Sequence, residues 1–498
     1  MNEPPQSNGV ESASFSQRHS SIVLGIVVLG TLMGSVDATI VLLAFPVIND
    51  SLHSDFLVSI WVILAYLLVI AVTTTQVGRL GDIYGRSRMF NFGFALFTVG
   101  SALCGFSGSI IQLILFRVMQ AVGGSIMQSN SGAIIADVFP ARTRGRAFGY
   151  NSLGWTAGAM LGIVLGGVIT TFAGWQYIFF INIPIGVVAV IAGLKYVKDA
   201  ARVKTRIDVF GMILLAVALS MFALGATDFS AQGFTVQNTA LTVAGGLLIL
   251  GFLFYDRRLK NPIIDFEAFK NRVLRNAVGA TFFVSLGYLA VAFLVIMYLQ
   301  GVRGLDPLDA SLLLVPGYVA GSFLGPVMGR LSDKYGSRGL STLGVVFLGI
   351  ATLIYLTLRA DTSLYVVLAA SAVSGVGTSM FFPANTAAVM SHVRQGSYGS
   401  ISGLLRTLQN IGTLGSFVLA ISVAALSIPR DVAFQIFLGT TNLSGGVTTE
   451  FINGIDAALY VSLLFLAIAG ILSFFRGKEA RIEEPATGVG VQLAASPQ

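Results

Sequence analysis

Residues 78–88 read GRLGDIYGRSR and residues 329–339 read GRLSDKYGSRG; six of the eleven positions are identical, in the order Gly, Arg, Leu, Asp, Tyr, Gly. Each copy fills the short gap between two long apolar stretches. A charged segment recurring at the same place in two hydrophobic halves implies a duplicated membrane unit, the usual construction of a secondary transporter.

Composition points the same way. Of 498 residues, 55% are hydrophobic and only 11% charged, with a mean hydropathy of +0.82. No soluble core conceals that much apolar surface, so the chain must face lipid. The net charge of +7 does not indicate a nucleic-acid partner, because the basic residues are spread through the gaps between apolar runs rather than gathered in one patch. The single cysteine, Cys104, lies inside an apolar run, which excludes an intrachain disulfide framework and a thiolate metal cluster. It reads as a small core or lipid-facing residue.

A spanning helix needs about 20 apolar residues. Stretches of that length fall at 21–45, 57–77, 89–107, 110–135, 147–171 and 176–197, then at 208–227 and 238–256, then at 276–300, 309–329, 340–358, 363–390, 399–425 and 455–475. The pattern is six, two and six, and each copy of the opening motif follows the second span of its six. The expected class is therefore an all-α integral membrane protein of fourteen spans. It divides into a disordered cytoplasmic tail (1–20), an N-terminal six-helix bundle (21–197), two additional membrane helices (198–257), a cytoplasmic loop (258–275), a C-terminal six-helix bundle (276–476) and a second tail (477–498).

Charge sets the orientation independently. With the N-terminus inside, the cytoplasmic loops hold Arg79, Arg86 and Arg88, the triplet Arg142, Arg144 and Arg146, the cluster from Arg257 to Arg275, and the flank Arg476, Lys478 and Arg481. Only Arg303, Arg359 and Arg430 fall outside, among Asp50, Asp55, Asp306, Asp309 and Asp361. One missed span would invert every later loop, so the bias supports an even count with both termini cytoplasmic, in a multi-pass protein of the cell membrane.

Longer stretches carry a family resemblance. VDATIVLLAFP in the first span is similar to LDxTIVNVALP. FRVMQAVGGS in the fourth resembles RxxQGxGxA, and GIVLGGVITTFAGWQYIFFINIPIG in the fifth and sixth resembles GPxLGGxI followed by WxWIFxINxPIG. From about residue 24 to 476 the chain resembles the fourteen-spanner drug:proton antiporters of the major facilitator superfamily. The resemblance implies two six-helix bundles plus two linking helices, acting as a monomer by alternating access. Two positions depart from the pattern: Ile163 replaces the proline of the fifth-span motif most associated with antiport, and Leu42 replaces the asparagine of the first.

Asp37 is the only acid well inside an expected span. An ionised carboxylate there costs at least about 2.5 kcal/mol on insertion scales, so it needs a polar cavity, a partner or a function. Asp37 lies roughly 24 Å from the cytoplasmic start of its span, and Arg117 roughly 10 Å from the outer start of the fourth, at 1.5 Å per residue. The two charges are thus expected at similar depth, flanking a central cavity where Asp37 exchanges proton and substrate and Arg117 tunes the exchange. A permanent pair that merely fixes the first helix against the fourth is the alternative. Tyr66, Gln120, Gln128, Asn385, Gln409 and Asn410 are candidates to line the cavity, Gln128 lying three turns from Arg117 on one face with Gly124 between. Each is also a candidate for interhelical hydrogen bonding.

The repeated motif reads as a gate. Gly78 and Gly85 permit close approach and turning, and Asp82 and Arg86 are four apart at the membrane surface. In the family resembled, the aspartate docks at a helix start in the opposite half, here near Arg406, and the arginine meets an acid closing the fourth span, here Asp137. The resulting latch is expected to stabilise an outward-open state. The second copy keeps Asp333 but has Ser337 in place of Arg86, which predicts a weaker latch. Gly154, Gly158, Gly162 and Gly166 recur every four residues, a spacing that permits close helix packing, and Gly167 adds room for sliding.

The chain has no HExxH metal site, no phosphate-binding GxxxxGK[ST] loop and no large soluble domain, so an enzyme is not expected. Without a nucleotide site or cofactor, energy is expected from a proton gradient. The leading expectation is a proton-coupled multidrug efflux antiporter for amphiphilic, cationic or neutral small molecules, with lipid and protons as its other partners. A symporter or facilitator for a small metabolite competes with it. A transport-dead sensor on the same fold is the third class, and would be expected to lose the charged pair that this chain retains.

Overall fold

A computed structural model describes residues 17–139, 141–198, 208–232, 235–259, 262, 270–392, 398–426 and 446–477. The expected tails, apart from 17–20 and 477, and half of the loop 258–275 lie outside the described residues, as does the side chain of Asp333.

The long helices are α1 (Gln17–Ser51), α2 (Trp61–Tyr84), α3 (Arg86–Gly105), α4 (Ile110–Val138), α5 (Ala141–Phe172) and α6 (Asn182–Tyr196). After them come α7 (Val209–Gln232), α8 (Val236–Asp256) and α9 (Arg272–Tyr288). The last five are α10 (Pro307–Tyr335), α11 (Ser337–Tyr355), α12 (Tyr365–Ser391), α13 (Tyr398–Leu426) and α14 (Gly446–Phe474). α1 begins at Gln17, so the last four residues of the expected 1–20 tail are helical. Where a single span was expected at 276–300, α9 stops at Tyr288 and resumes as Val291–Met297 and a π-turn Tyr298–Val302; the Ala290 N–H freed by the break donates to Ser416 Oγ at 3.0 Å.

Thirteen helices among the described residues are long and apolar enough to cross a membrane. α3, which coincides with the expected span 89–107, is not among them. Arg86, Arg88 and Asn91 lower its apolarity, and its polar Asn91, Thr98 and Ser101 are buried inside the bundle rather than facing lipid.

The glycine row of α5 packs on α1. A methyl group at Gly158 would meet the Leu32 carbonyl at 2.6 Å, at Gly162 the Val36 carbonyl at 2.6 Å and the Thr39 hydroxyl, and at Gly166 the Ile40 carbonyl at 2.9 Å. With the backbones this close, Ser35 Oγ donates to the Trp155 carbonyl at 2.6 Å and Thr39 Oγ1 to the Ala159 carbonyl at 3.2 Å. Thr31 Oγ1 donates to Asn151 Oδ1 at 2.6 Å. Every pair is offset by 120 residues, so α1 and α5 run parallel in one fixed register. Gly167 faces the other bundle, where a methyl group would meet the Pro307 carbonyl at 2.7 Å.

The two bundles meet along two seams, α5 against α10 and α2 against α13. The additional pair sits beside the second seam. α7 packs on both α2 and α13, with Ser422 Oγ donating to the Ala226 carbonyl at 2.7 Å, and α8 packs chiefly on α7. The Asp208 N–H, at the foot of α7, donates to Gln76 Oε1 at 3.3 Å, and Arg79 Nη2 donates to the Pro262 carbonyl at 3.1 Å.

Gly162→Val should therefore lower the thermal unfolding temperature of detergent-purified protein, overpacking costing about 1–3 kcal/mol. Gly149→Ala, where nothing lies within 4 Å of the added methyl, should not lower it.

Candidate functional site

α1, held against α5 on one side, presents Asp37 to α4 and α6 on the other. Asp37 and Arg117 are 0% and 1% exposed, and Arg117 Nη1 lies 2.5 Å from Asp37 Oδ2. The same Nη1 donates to Gln120 Oε1 at 2.7 Å, while Gln120 Nε2 donates to Asp37 Oδ1 at 2.8 Å, closing a three-membered ring of contacts. Asn182 Nδ2 reaches Asp37 Oδ1 at 3.4 Å and Ser101 Oγ at 3.0 Å. Arg117 Nε donates to the Val62 carbonyl at 3.3 Å, and its guanidinium lies 3.9 Å from the centre of the Tyr66 ring. Such a face contact adds about 0.5–2 kcal/mol. The two charges expected at equal depth thus meet directly, sealed inside the N-terminal bundle rather than flanking open space.

Several cavity-lining expectations change accordingly. Tyr66 and Gln120 are 2% and 0% exposed and belong to the sealed cluster. Gly124, between Arg117 and Gln128, faces the Tyr66 hydroxyl and Phe97, so the expected open stripe is closed at that point. Asn385, 1% exposed, works inside the C-terminal bundle: Nδ2 donates to the Ala277 carbonyl at 2.9 Å and Thr281 Oγ1 at 2.7 Å. Gln128 and Asn410 do meet between the bundles, with Asn410 Nδ2 3.3 Å from Gln128 Oε1 and 3.5 Å from Thr74 Oγ1. Gln409 is half-buried beside them, and its carbonyl accepts from Thr413 Oγ1 at 2.8 Å. Cys104 is core, its thiol 3.8 Å from Gln120 Oε1.

The motif is less of a loop than expected. Gly78 and Asp82 are both within α2, and the turn into α3 is made by one residue, Gly85, at φ 107°; Gly336 at φ 90° makes the matching turn from α10 to α11. Only glycine adopts such a backbone readily. The close approach expected of Gly78 belongs to Gly81, where a methyl group would collide with the Asn130 side chain. Arg86 donates from Nε to Asp82 Oδ1 at 2.9 Å and from Nη1 to Asp137 Oδ1 at 2.6 Å, tying together the adjoining ends of α2, α3 and α4. Burial opposes its charge, but Asp137 and Asp82 outweigh burial and raise its pKa. Among the described residues, Asp82 is engaged by Arg86 rather than by the opposite bundle.

Arg406 is not at this gate. It lies eight residues inside α13, its guanidinium 5.6 Å from the centre of the Trp155 ring on α5. In the second copy, Ser337 Oγ accepts from Arg476 Nη2 at 2.8 Å, and Arg476 Nη1 donates to Asn385 at 3.1 Å. A guanidinium from the end of α14 thus occupies the neighbourhood that Arg86 supplies in the first copy.

Asn182, Ser101 and Trp155 stand outside the residues expected at the site. Asn182 sat in plain view in the quoted FINIPIG stretch, as a polar residue in an apolar run, whereas nothing distinguished Ser101. Tyr288, hydrogen-bonded to Ser374 beside Tyr318, carried no signal among 14 tyrosines.

Asp37→Asn should destabilise the protein more than Arg117→Gln. The first leaves a buried guanidinium that cannot lose its proton, about 3–5 kcal/mol for a broken buried pair, whereas the second leaves a carboxyl that can take one up. Thermal unfolding of the two purified variants checks this, Asp37→Asn melting at the lower temperature. At the gate, Asp137→Asn should slow transport in vesicles while leaving equilibrium substrate binding unchanged; a parallel loss of binding would place Asp137 in the substrate path instead.

The chain matches the family model described as Major Facilitator Superfamily over residues 27–416. It is 32% identical over 401 residues to the riboflavin transporter RibZ of Clostridioides difficile (strain 630), covering 78% of this chain and 85% of that protein. Identity is 31% over 401 residues with multidrug resistance protein 3 of Bacillus subtilis (strain 168), covering 79% and 77%. The fold is similar to the inward-facing, unoccupied crystal structure of a bacterial homologue of the human lysosomal transporter Spinster, with a TM-score of 0.62, 19% identity, and 93% and 97% of the two chains covered. With the family model spanning most of its length, the chain belongs to the major facilitator superfamily: it is a multi-pass transporter of the cell membrane and not an enzyme.

Proposed function

We propose that this transporter exports amphiphilic compounds in exchange for protons, accepting cationic or neutral groups at the level of Asp37 and acting as a monomer by alternating access of its two bundles. In this reading both termini are cytoplasmic and α3 completes fourteen spans. The observation that carries it is the sealed Asp37–Arg117 pair. A proton on Asp37 removes the charge that holds Arg117, leaving the guanidinium with only the neutral acceptors Gln120 Oε1 and the Val62 carbonyl. That imbalance favours a rearrangement of α1 on α4.

The rearrangement has a path to the bundle seam. α1 and α5 are locked in register, so α5 moves with α1, and α5 carries both Gly167 against α10 and Trp155 against Arg406. A change of charge on one carboxylate is in this way passed to the contacts that close or open the central space. The Arg86 cluster holds the cytoplasmic ends of α2, α3 and α4 as one unit while this happens.

The multidrug resistance relative supports export of diverse compounds. The riboflavin transporter relative supports a second reading, symport or facilitated passage of a metabolite, to which Ile163 in place of the motif proline is also suited. Reconstituted vesicles with a pH indicator inside separate the two. Antiport is expected to give substrate-stimulated proton release in the wild type and none in Asp37→Asn. Normal coupling in that variant at normal expression would remove Asp37 from the exchange, and protons entering with substrate would replace antiport by symport.

A further inference from the structure

The membrane interior holds a second guanidinium with a different environment from Arg117. Arg406 lies on α13, facing α5 of the other bundle, half-buried, with its guanidinium 5.6 Å from the centre of the Trp155 ring. Among the described residues no ion pair joins Arg406 to a carboxylate, and its guanidinium meets the Trp155 ring instead. A guanidinium does not lose its proton under these conditions. Arg406 is therefore a fixed positive charge at the seam, and a tryptophan face returns only part of what leaving water costs it.

The Ser35 hydroxyl bonds the Trp155 carbonyl, which fixes Trp155 relative to α1. Arg406 lies across the seam on the Gln128 side of the Asp37 cluster: its helix neighbour Asn410 reaches Gln128, eleven residues or about 16 Å along α4 from Arg117. One turn further along α13, Asn410 reaches Gln128 and Thr74 and makes the neighbouring surface polar. Arg117 is buried and paired with Asp37, Gln120 and the Val62 carbonyl, so the half-buried Arg406 is the cation placed to meet a ligand.

We propose that Arg406 and Trp155 form a subsite for the carboxylate of an aromatic substrate, the guanidinium taking the anionic group and the indole packing on the adjoining ring. This deepens the export reading above by adding aromatic acids to the substrate class, with the acid held at the C-terminal bundle. A carboxylate there neutralises the seam charge, and its two oxygens match the forked donors of a guanidinium.

The test compares naphthoate with the isosteric, uncharged naphthamide by calorimetric titration of the purified full-length protein, with no proton gradient present. The wild type should bind naphthoate at least tenfold more tightly than naphthamide. Arg406→Gln should abolish that preference, Arg406→Lys should keep part of it, and Trp155→Leu should weaken both ligands together. Equal affinity for the two ligands in the wild type, absence of naphthoate binding, or a preference that survives Arg406→Gln overturns the proposal. The wild-type comparison decides even where a variant fails to fold. Because the measurement involves no coupling, an Arg406-dependent preference in a protein that shows no proton release upholds the subsite while removing antiport.

Discussion

One carboxylate, Asp37, sets the terms for the N-terminal bundle. A charge at 0% exposure is tolerable only if donors surround it, and four helices supply or support them: Arg117 and Gln120 from α4, Asn182 at the start of α6, Ser101 on α3 behind Asn182, and the Tyr66 ring on α2 covering Arg117. Each donor must arrive within hydrogen-bonding distance, and that requires close-packed backbones. The glycines meet this need where helices cross: Gly100 of α3 lies against the backbone of Gln120, Gly186 of α6 against Thr98 of α3, and the row on α5 against α1. Small residues and buried charge are two aspects of one constraint.

That constraint makes the first bundle rigid around α1 and leaves the movable contacts at its edge. Between the bundles, the contacts are of a different kind: Phe45 against Phe293, the Leu43 carbonyl with Gln300 Nε2 at 3.3 Å, Asn410 with Gln128, and Arg406 over Trp155. These are single, mostly neutral contacts that can part and re-form at modest cost, unlike the saturated cluster around Asp37. The additional helices α7 and α8 follow the same division. The segments flanking them anchor the C-terminal end of α2, Asp208 N–H on Gln76 and the Pro262 carbonyl on Arg79, while α7 also rests on α13, so the pair flanks one seam without joining the charged cluster.

The fold was legible because lipid imposes length and polarity rules on every span, and because duplication printed the same motif twice. Asp37 and Arg117 were legible for a related reason: charges in apolar runs are costly and therefore conspicuous. What the sequence left out was partnership. Gln120 and Tyr66 were expected to line a cavity and are instead buried around Arg117, because nothing in helical spacing tells which neighbouring helix a polar face will meet. Asn385 shows the same ambiguity, resolved toward Ala277 and Thr281 within its own bundle. Gly78 was overvalued and Gly81 passed over, since repetition marked the first while only packing against Asn130 marks the second. α3 was legible as an apolar stretch at 89–107, but its buried polar face, hidden by α4 and α6, was not.

The two halves, alike in sequence pattern, divide the electrostatic work unequally. In the first, Arg117 is matched by an acid, Asp37. In the second, Arg406 has no such acid among the described residues and carries a charge that no proton removes. In the exchange proposed above, the Asp37 pair is the switchable site and Arg406 the constant one, on opposite bundles. Under that proposal substrate affinity at Arg406 changes through geometry, as α5 carries Trp155 toward or away from it. The register of α1 on α5 then does more than pack two helices: in the proposed cycle it is the mechanical link between the carboxylate of one bundle and a ligand held by the other.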